Sequence, residues 1–279
     1  MNNPVYPCLW YDGNAAEAAR TYISWFENAK ILSENPIVSQ IEVDGHRLML
    51  LNGGPQYRHN PSISLFVTCE QESEVRKLWS LVSQGGSVMM DIGRYDWSPC
   101  YGWCNDRFSV SWQIYQGSTK ATPQKIVPCL LFTDARFGLA QEAIEYYCNT
   151  IDHSVLDGIM HYPEGSGANE GKVLHAQFTL RHCIFMAMDG PGEHHFEFTP
   201  AASFVLECSD QEEIDQYWQK LGEGGHYSQC GWLQDRYGVS WQIVPAILGE
   251  LMSDPARAPR VTAAFLKMQK FDIAALLSA

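Results

Sequence analysis

Positive charge is what this chain has least of. Its 19 Lys and Arg stand against 32 Asp and Glu, a net charge of −13 over 279 residues. Such a surface repels phosphate backbones and anionic headgroups, so neither nucleic acid nor a membrane is an expected partner. Long apolar runs are missing too: no segment approaches the ~18 residues of a bilayer span. The N-terminal MNNPVYPCLWYDGN lacks a basic stretch followed by an apolar core, and the expectation is a cytoplasmic protein. The chain contains no HExxH, no CxxC, no serine in a nucleophile elbow and no dinucleotide-binding fingerprint between a strand and a helix. Nine cysteines are present, an odd number at long spacings, with Cys100 and Cys104 the only close pair. That pattern reads as buried reduced thiols, and not as a disulfide framework or a zinc site.

What the chain does contain is a repeat. Gly102–Ile114 reads GWCNDRFSVSWQI and Gly231–Ile243 reads GWLQDRYGVSWQI, identical at nine of thirteen positions. Pro7-Cys8-Leu9 likewise matches Pro128-Cys129-Leu130, and Cys69, Trp79 and Gly85-Gly86 match Cys208, Trp218 and Gly224-Gly225. The organisation follows: a first copy over 1–115, a polar linker over 116–125, a second copy over 126–245, and a tail over 246–279 that does not repeat. The tail carries an apolar helical side, with Val261, Phe265 and Met268, which would dock on its own domain or on another subunit.

Within each copy the periodicity alternates between strand and helix. Val5–Trp10 is a strand, and Asn14 with Glu17 has the spacing of a capping box for the helix striped by Ala18, Tyr22, Trp25 and Phe26. Asp44-Gly45 marks a hairpin, and Ser209 with Glu212 has a second capping-box spacing. Gly85-Gly86 ends a helix where a left-handed residue is needed. The order is strand, helix, three strands, given twice per copy: four βαβββ units in an α+β fold. With helices on one side of a curved mixed sheet, the polar side forms a cup.

The residues that alternation places on the polar faces are the site candidates. In the first copy they are Glu42, Ser111 and Gln113, with Trp103 as a flat apolar wall; in the second, His175, Gln177, Ser240 and Gln242, with Trp232. Glu42 or His175 would serve as a general base, His175 reading equally as a strand histidine bonded to a neighbour. His194-His195 is a loop candidate for metal or base chemistry, but adjacent residues in extended chain point oppositely. Asp106-Arg107 and Asp235-Arg236 read as turns held by local hydrogen bonds and an exposed ion pair. The glycine runs Gly165–Gly171 and Gly190–Gly192 precede strands, unlike nucleotide loops, and read as turns.

With Leu9–Ala16 (LWYDGNAA), Leu51–Pro55 (LNGGP), Phe204–Asp215 (FVLECSDQEEID) and Cys230–Pro245 (CGWLQDRYGVSWQIVP), the chain resembles the vicinal oxygen chelate superfamily, the fold of glyoxalase I and extradiol dioxygenases. It is most similar to the PhnB-like branch, long labelled 3-demethylubiquinone-9 3-methyltransferase. The resemblance implies tandem domains, each of two βαβββ units forming a cup with helices outside. In metal-using members the cup carries His and Glu ligands. Carried over, the terminal-strand Glu falls on Gln113 and Gln242, the fifth-strand His on Ser64 and Ser203, and the fourth-strand Glu near Met49 and Phe185. That set is incomplete for zinc or iron, so no metal and no other cofactor is expected.

The function expected is binding of a small metabolite in the cups. The alternatives are a metal-dependent lyase or dioxygenase with an atypical set such as His175, Gln242 and a loop histidine, or a non-enzymatic small-molecule binding or resistance protein. Methyl transfer has no Rossmann-type site to support it. Two chains of single-copy relatives associate to complete this architecture; two fused copies make the expectation a monomer or a homodimer.

Overall fold

The computed structural model describes residues 5–279. The first βαβββ unit is β1 (Val5–Tyr11), α1 (Ala15–Trp25), β2 (Ala29–Glu34), β3 (Val38–Val43) and β4 (His46–Asn52). The second is β5 (Ile63–Cys69), α2 (Glu72–Val82), β6 (Ser87–Tyr95), β7 (Ser98–Asn105) and β8 (Ser111–Gln116). The third is β9 (Ile126–Phe132), α3 (Ala140–Thr150), β10 (Val155–His161), β11 (Val173–Leu180) and β12 (Cys183–Asp189). The fourth is β13 (Ala202–Cys208), α4 (Gln211–Gly222), β14 (His226–Tyr227), β15 (Trp232–Gln234) and β16 (Ser240–Pro245).

These units make two eight-stranded mixed sheets, ordered β14-β15-β16-β13-β1-β4-β3-β2 and β10-β11-β12-β9-β5-β8-β7-β6. Each sheet therefore takes one unit from each sequence copy: the first and fourth in one, the second and third in the other. The reason lies in the leading strands. β1, β5, β9 and β13 are buried almost end to end, too apolar to be left as open edges. They pair antiparallel across copies, with Cys8 opposite Ser203 and Ser64 opposite Cys129.

The helices reach across as well. Tyr22 of α1 stacks edge-on against Trp112 of β8 at 5.2 Å, and Tyr147 of α3 against Trp241 of β16 at 5.4 Å. Both sheets thereby share one continuous core. Under each helix a buried aspartate closes the turn before the last strand. Asp106 accepts from the backbone N–H of Phe108 and Val110, the indole of Trp112 and the hydroxyl of Tyr22. Asp235 accepts from Tyr237, Val239, Trp241 and Tyr147 in the same way. Local hydrogen bonds hold these turns, as expected; the ion pairs, however, run elsewhere, from Arg107 to Glu17 and from Arg236 to Glu223, each at 2.8 Å.

Other local expectations shift too. The Asn14 side chain makes no cap; Asn52 Oδ1 instead accepts from the Ala15 N–H at 2.9 Å, because β4 ends beside the helix start. At α4 the cap moves one residue on: Asp210 accepts from Glu213 N–H, and Glu213 accepts from Ser209 N–H. The β3–β4 hairpin turns through Asp44 and Gly45, both left-handed, at φ 47° and 83°. The β11–β12 hairpin makes the same turn without glycine, at Arg181 (φ 44°) and His182 (φ 69°). There the backbone is held by a buried guanidinium: Arg181 donates to Asp152, Glu213, the Tyr217 hydroxyl and the Glu207 carbonyl, tying one sheet to α4 of the other.

The tail, α5 (Leu248–Ser253), α6 (Ala258–Phe265) and α7 (Ile273–Ser278), docks on its own chain. Leu251, Val261, Phe271 and Leu276 enter the core, and Cys230 and Gly231 N–H donate to the carbonyls of Met268 and Gln269. No described helix is long and apolar enough to cross a membrane. All nine cysteines are free thiols, seven of them buried.

Candidate functional site

Alternation along the strands sends Leu9, Leu50, Phe204 and Trp241 to the helix side and leaves Cys8, Met49, Ser203 and Gln242 on the concave side of the first sheet. The second sheet repeats the arrangement with Cys129, Met186, Ser64 and Gln113. In each cup the glutamine amide donates to the serine hydroxyl, Gln242 to Ser203 at 3.0 Å and Gln113 to Ser64 at 2.8 Å. The neighbouring thiols are inert, since burial pushes both Cys8 and Cys129 up to about 12.

The strand exchange regroups the candidates. Gln242, Ser240 and Trp232 share a sheet with Glu42 from the first copy; Gln113, Ser111 and Trp103 share theirs with His175 and Gln177 from the second. The grouping by sequence copy is thus replaced by one across copies, because β1 pairs with β13 and β5 with β9. Glu42 lies on β3 and pairs with Lys30 at 2.8 Å. His175 is half-buried, its pKa lowered by desolvation, and its side chain makes no hydrogen bond among the described residues. Gln177 is held by the linker, accepting from Thr122 and donating to the Ala121 carbonyl. His194 and His195 lie on a loop, His194 half-buried with its ring hydrogen-bonded to the Pro191 carbonyl and His195 exposed. Phe185 turns to the helix side, stacked on Phe178; the residue equivalent to Met49 is its neighbour Met186.

The two cups differ where the last strand meets its hairpin. In the second sheet the Tyr101 hydroxyl donates to Gln113 Oε1 at 2.6 Å, and the Trp103 indole donates to Ser111 Oγ at 2.7 Å. Phe66, Tyr101, Val127, Cys129 and Met186 form a packed cluster joined by Met90, Tyr95, Trp103 and Tyr115. This cup is plugged by its own side chains.

In the first sheet the same glutamine and serine are present without their donors. Trp232, which faces Gln242 in register as Trp103 faces Gln113, packs edge-on against Trp10 at 5.9 Å instead of donating to Ser240. Cys230 stands where the repeat places Tyr101, and its thiol donates to the Phe265 carbonyl of the tail. Ser240 Oγ, on a residue only 2% exposed, consequently has no hydrogen-bond partner among the described residues. Gln242, 5% exposed, donates through its amide nitrogen, and its Oε1 receives no hydrogen bond from the described residues. Val205 and Val244 take the places of Phe66 and Tyr115, and β14 has two residues where β6 has nine.

Around this pair the walls are aromatic at one end and charged at the other. Trp10 is flanked by Tyr57 at 5.0 Å and by Trp232, and its indole donates to the Gly54 carbonyl. His59 supports it from behind, hydrogen-bonded to the Trp10 carbonyl and lowered to about 4 by desolvation. At the other end Glu207 pairs with Arg47 at 2.7 Å and accepts from the Tyr6 hydroxyl at 2.9 Å. Sequence reasoning missed Tyr6, Trp10, Arg47 and Tyr101. The last was accessible, because alternation puts Tyr101 on the face of Trp103, and the repeat offset shows cysteine in its place.

The donor set does not suit the metal that the fold family implies. Cys8, Met49, Ser203 and Gln242 offer a protonated thiol, a thioether, a hydroxyl and an amide, and among the described residues no group of three or more His, Cys, Asp or Glu is placed to hold an ion.

A sequence profile of the family described as 3-demethylubiquinone-9 3-methyltransferase matches residues 3–115 and 124–244. No curated protein matches the chain. Among solved structures, a PhnB protein from Bacillus cereus is 28% identical over 40% of this chain and 98% of its own, with a TM-score of 0.38. Protein PA1353 from Pseudomonas aeruginosa is 22% identical over 39% of this chain and 93% of its own, with a TM-score of 0.35. Glyoxalase I from Zea mays is 11% identical, spans 90% of this chain and 97% of its own, and has a TM-score of 0.60, which shows a common fold. With both copies matched and the tandem eight-stranded architecture in place, the chain belongs to the PhnB-like 3-demethylubiquinone-9 3-methyltransferase family and carries the glyoxalase fold.

Proposed function

We propose that this protein binds a small metabolite in a single cup, the one built from the first and fourth βαβββ units, and that the other cup is a structural counterpart. The observation that carries this reading is the buried Ser240 Oγ, without a partner among the described residues, beside Gln242 Oε1, which receives no hydrogen bond from them, set against Ser111 and Gln113, whose partners are internal. A buried hydroxyl without a partner costs about 1–3 kcal/mol, a cost that a bound guest relieves. Binding chemistry is supported better than metal-assisted lysis or oxygenation, given the neutral donor set, and better than methyl transfer. The glycine runs lie between β10 and β11 and after β12, and neither opens a helix of the kind that holds a nucleotide. Glu42 shares the sheet with Gln242 but is neutralised by Lys30, and no proton transfer is assigned to it. Because the pairing that joins the units occurs within the chain, a monomer is the oligomeric state it supports.

Native mass spectrometry of the untagged protein, taken gently from a cell extract, tests the reading. One small-molecule adduct per chain is expected, lost in Gln242→Leu and kept in Tyr101→Phe. An adduct that Gln242→Leu keeps, or none at all in the wild type, contradicts it.

A further inference from the structure

Trp10 makes contacts that its repeat equivalent cannot. It follows Tyr6 and Cys8 on the concave side of β1, and the residue in its place on β9 is Leu131. Its indole lies so close to Gly53 that a Cβ there would come within 2.1 Å of the ring, donates to the Gly54 carbonyl at 2.7 Å, and meets Tyr57 and Trp232 edge-on. Gly53, Gly54 and Tyr57 belong to the crossover 53–62 that carries the chain from β4 of one sheet to β5 of the other. Residues 55–61 of that crossover make no backbone–backbone hydrogen bond to another element. Side chains tie them down instead: the Thr199 hydroxyl donates to the Arg58 carbonyl, the Asn60 amide to the Glu197 carbonyl, and the His59 ring is bonded to the Trp10 carbonyl. Gly54, at φ 94°, supplies a left-handed pivot that other residues rarely adopt.

From this we infer that residues 53–59 are a gate over the first cup, hinged at Gly53-Gly54 and latched by the Trp10 indole on the Gly54 carbonyl. The inference rests on the reading of this cup as the binding site and adds the route by which a guest enters. Such a route is needed, because the concave side is shut in this structure: Cys8 and Val205 are each 1% exposed and Gln242 5%, while Trp10, Tyr57 and Trp232 above them are half-buried. One hydrogen bond and one ring contact join the indole to the strap, so swinging the strap away frees the indole to turn off the concave side without unfolding either sheet. The plugged cup has no such latch. Leu131 has no N–H to offer, Pro191 stands where the repeat places Gly54, and its carbonyl is met by His194 of the same loop.

Two thiols report on the gate. Cys8 lies beneath it and Cys129 holds the equivalent place in the plugged cup, both buried and both pushed up to about 12, so a difference in their reaction rates measures access. The full chain is treated with methyl methanethiosulfonate under native conditions, and modification of each cysteine is followed by mass spectrometry. Cys8 is expected to react roughly tenfold faster than Cys129 or more. Trp10→Phe, which removes the indole N–H, and Tyr57→Ala should each speed Cys8 by a further factor of roughly five or more and leave Cys129 unchanged. Equal rates at Cys8 and Cys129 in the wild type overturn the gate, as does a Trp10→Phe or Tyr57→Ala effect that speeds both thiols together, the mark of lost global stability. Equal rates alongside a native adduct that Gln242→Leu still abolishes overturn the gate and leave the cup as the site. Should Trp10→Phe not fold, the wild type and Tyr57→Ala decide alone.

Discussion

Removing the Tyr147 hydroxyl should destabilise the protein by an amount that depends on pH, because that hydroxyl donates at 2.7 Å to a carboxylate that titrates within reach of experiment. Asp235 is 3% exposed, and desolvation raises its pKa to about 6 from 3.8, against the opposing pull of hydrogen bonds from Trp241, Tyr147 and two backbone amides. A folded pKa above the unfolded one means that the folded state holds the proton more tightly between the two values. This contribution is therefore present at low pH and lost as pH rises through about 6. Roughly two units at 1.36 kcal/mol each make it about 3 kcal/mol. In Tyr147→Phe, one of the bonds that favour the charged form is gone and the Asp235 pKa rises further. At pH 8 the lost bond is charge-assisted and costs about 2–3 kcal/mol; at pH 5, with the acid protonated, about 1 kcal/mol. Urea unfolding of both proteins at the two pH values measures the difference. An equal cost at pH 5 and pH 8, or a cost below ~0.5 kcal/mol at pH 8, refutes the argument.

Two further substitutions probe the frame. Arg181→Met removes a guanidinium 5% exposed and strands Asp152 and Glu213; breaking a buried pair costs ~3–5 kcal/mol, and Asp152, half in water, reduces this to about 2–3, read by urea midpoint. Burial alone would raise Asp152, but the Tyr217 hydroxyl and Arg181 outweigh it and hold its pKa low. Its share of the stability is present above the ordinary carboxylate pKa and lost as pH falls, so Arg181→Met should flatten the acid side of the stability profile. Gly225→Ala places a methyl 2.0 Å from the Gln234 carbonyl oxygen and should lower stability by about 1–3 kcal/mol or more in the same assay. No measurable loss would mean that α4 and β15 are not so closely apposed.

The repeat, the four βαβββ units and the polar faces were all legible because each rests on local periodicity. Val110-Ser111-Trp112-Gln113-Ile114 alternates whatever it pairs with. Which units share a sheet was not legible, because β1 and β9 are alike and either could pair with β5 or β13. That choice is made by tertiary packing, with Tyr22 on Trp112 and Tyr147 on Trp241. Caps failed for the same reason: the Asn52 side chain that serves α1 is 37 residues away from the Ala15 N–H it accepts from. At the glycine pair only Gly85 and Gly224 use left-handed backbone; Gly86 and Gly225 are there because a strand carbonyl leaves no room for a side chain. The faces of Ser240 and Gln242 could be read from alternation, but that Trp232 would abandon Ser240 for Trp10 depends on contacts between units.

Indole hydrogen exchange, followed by NMR in heavy water, tests that asymmetry directly. The Trp103 N–H, bonded to Ser111, should be protected, and the Trp232 N–H, with no partner among the described residues, should exchange rapidly. Equal protection of both would mean that Trp232 also caps its serine and that the first cup is closed like the second.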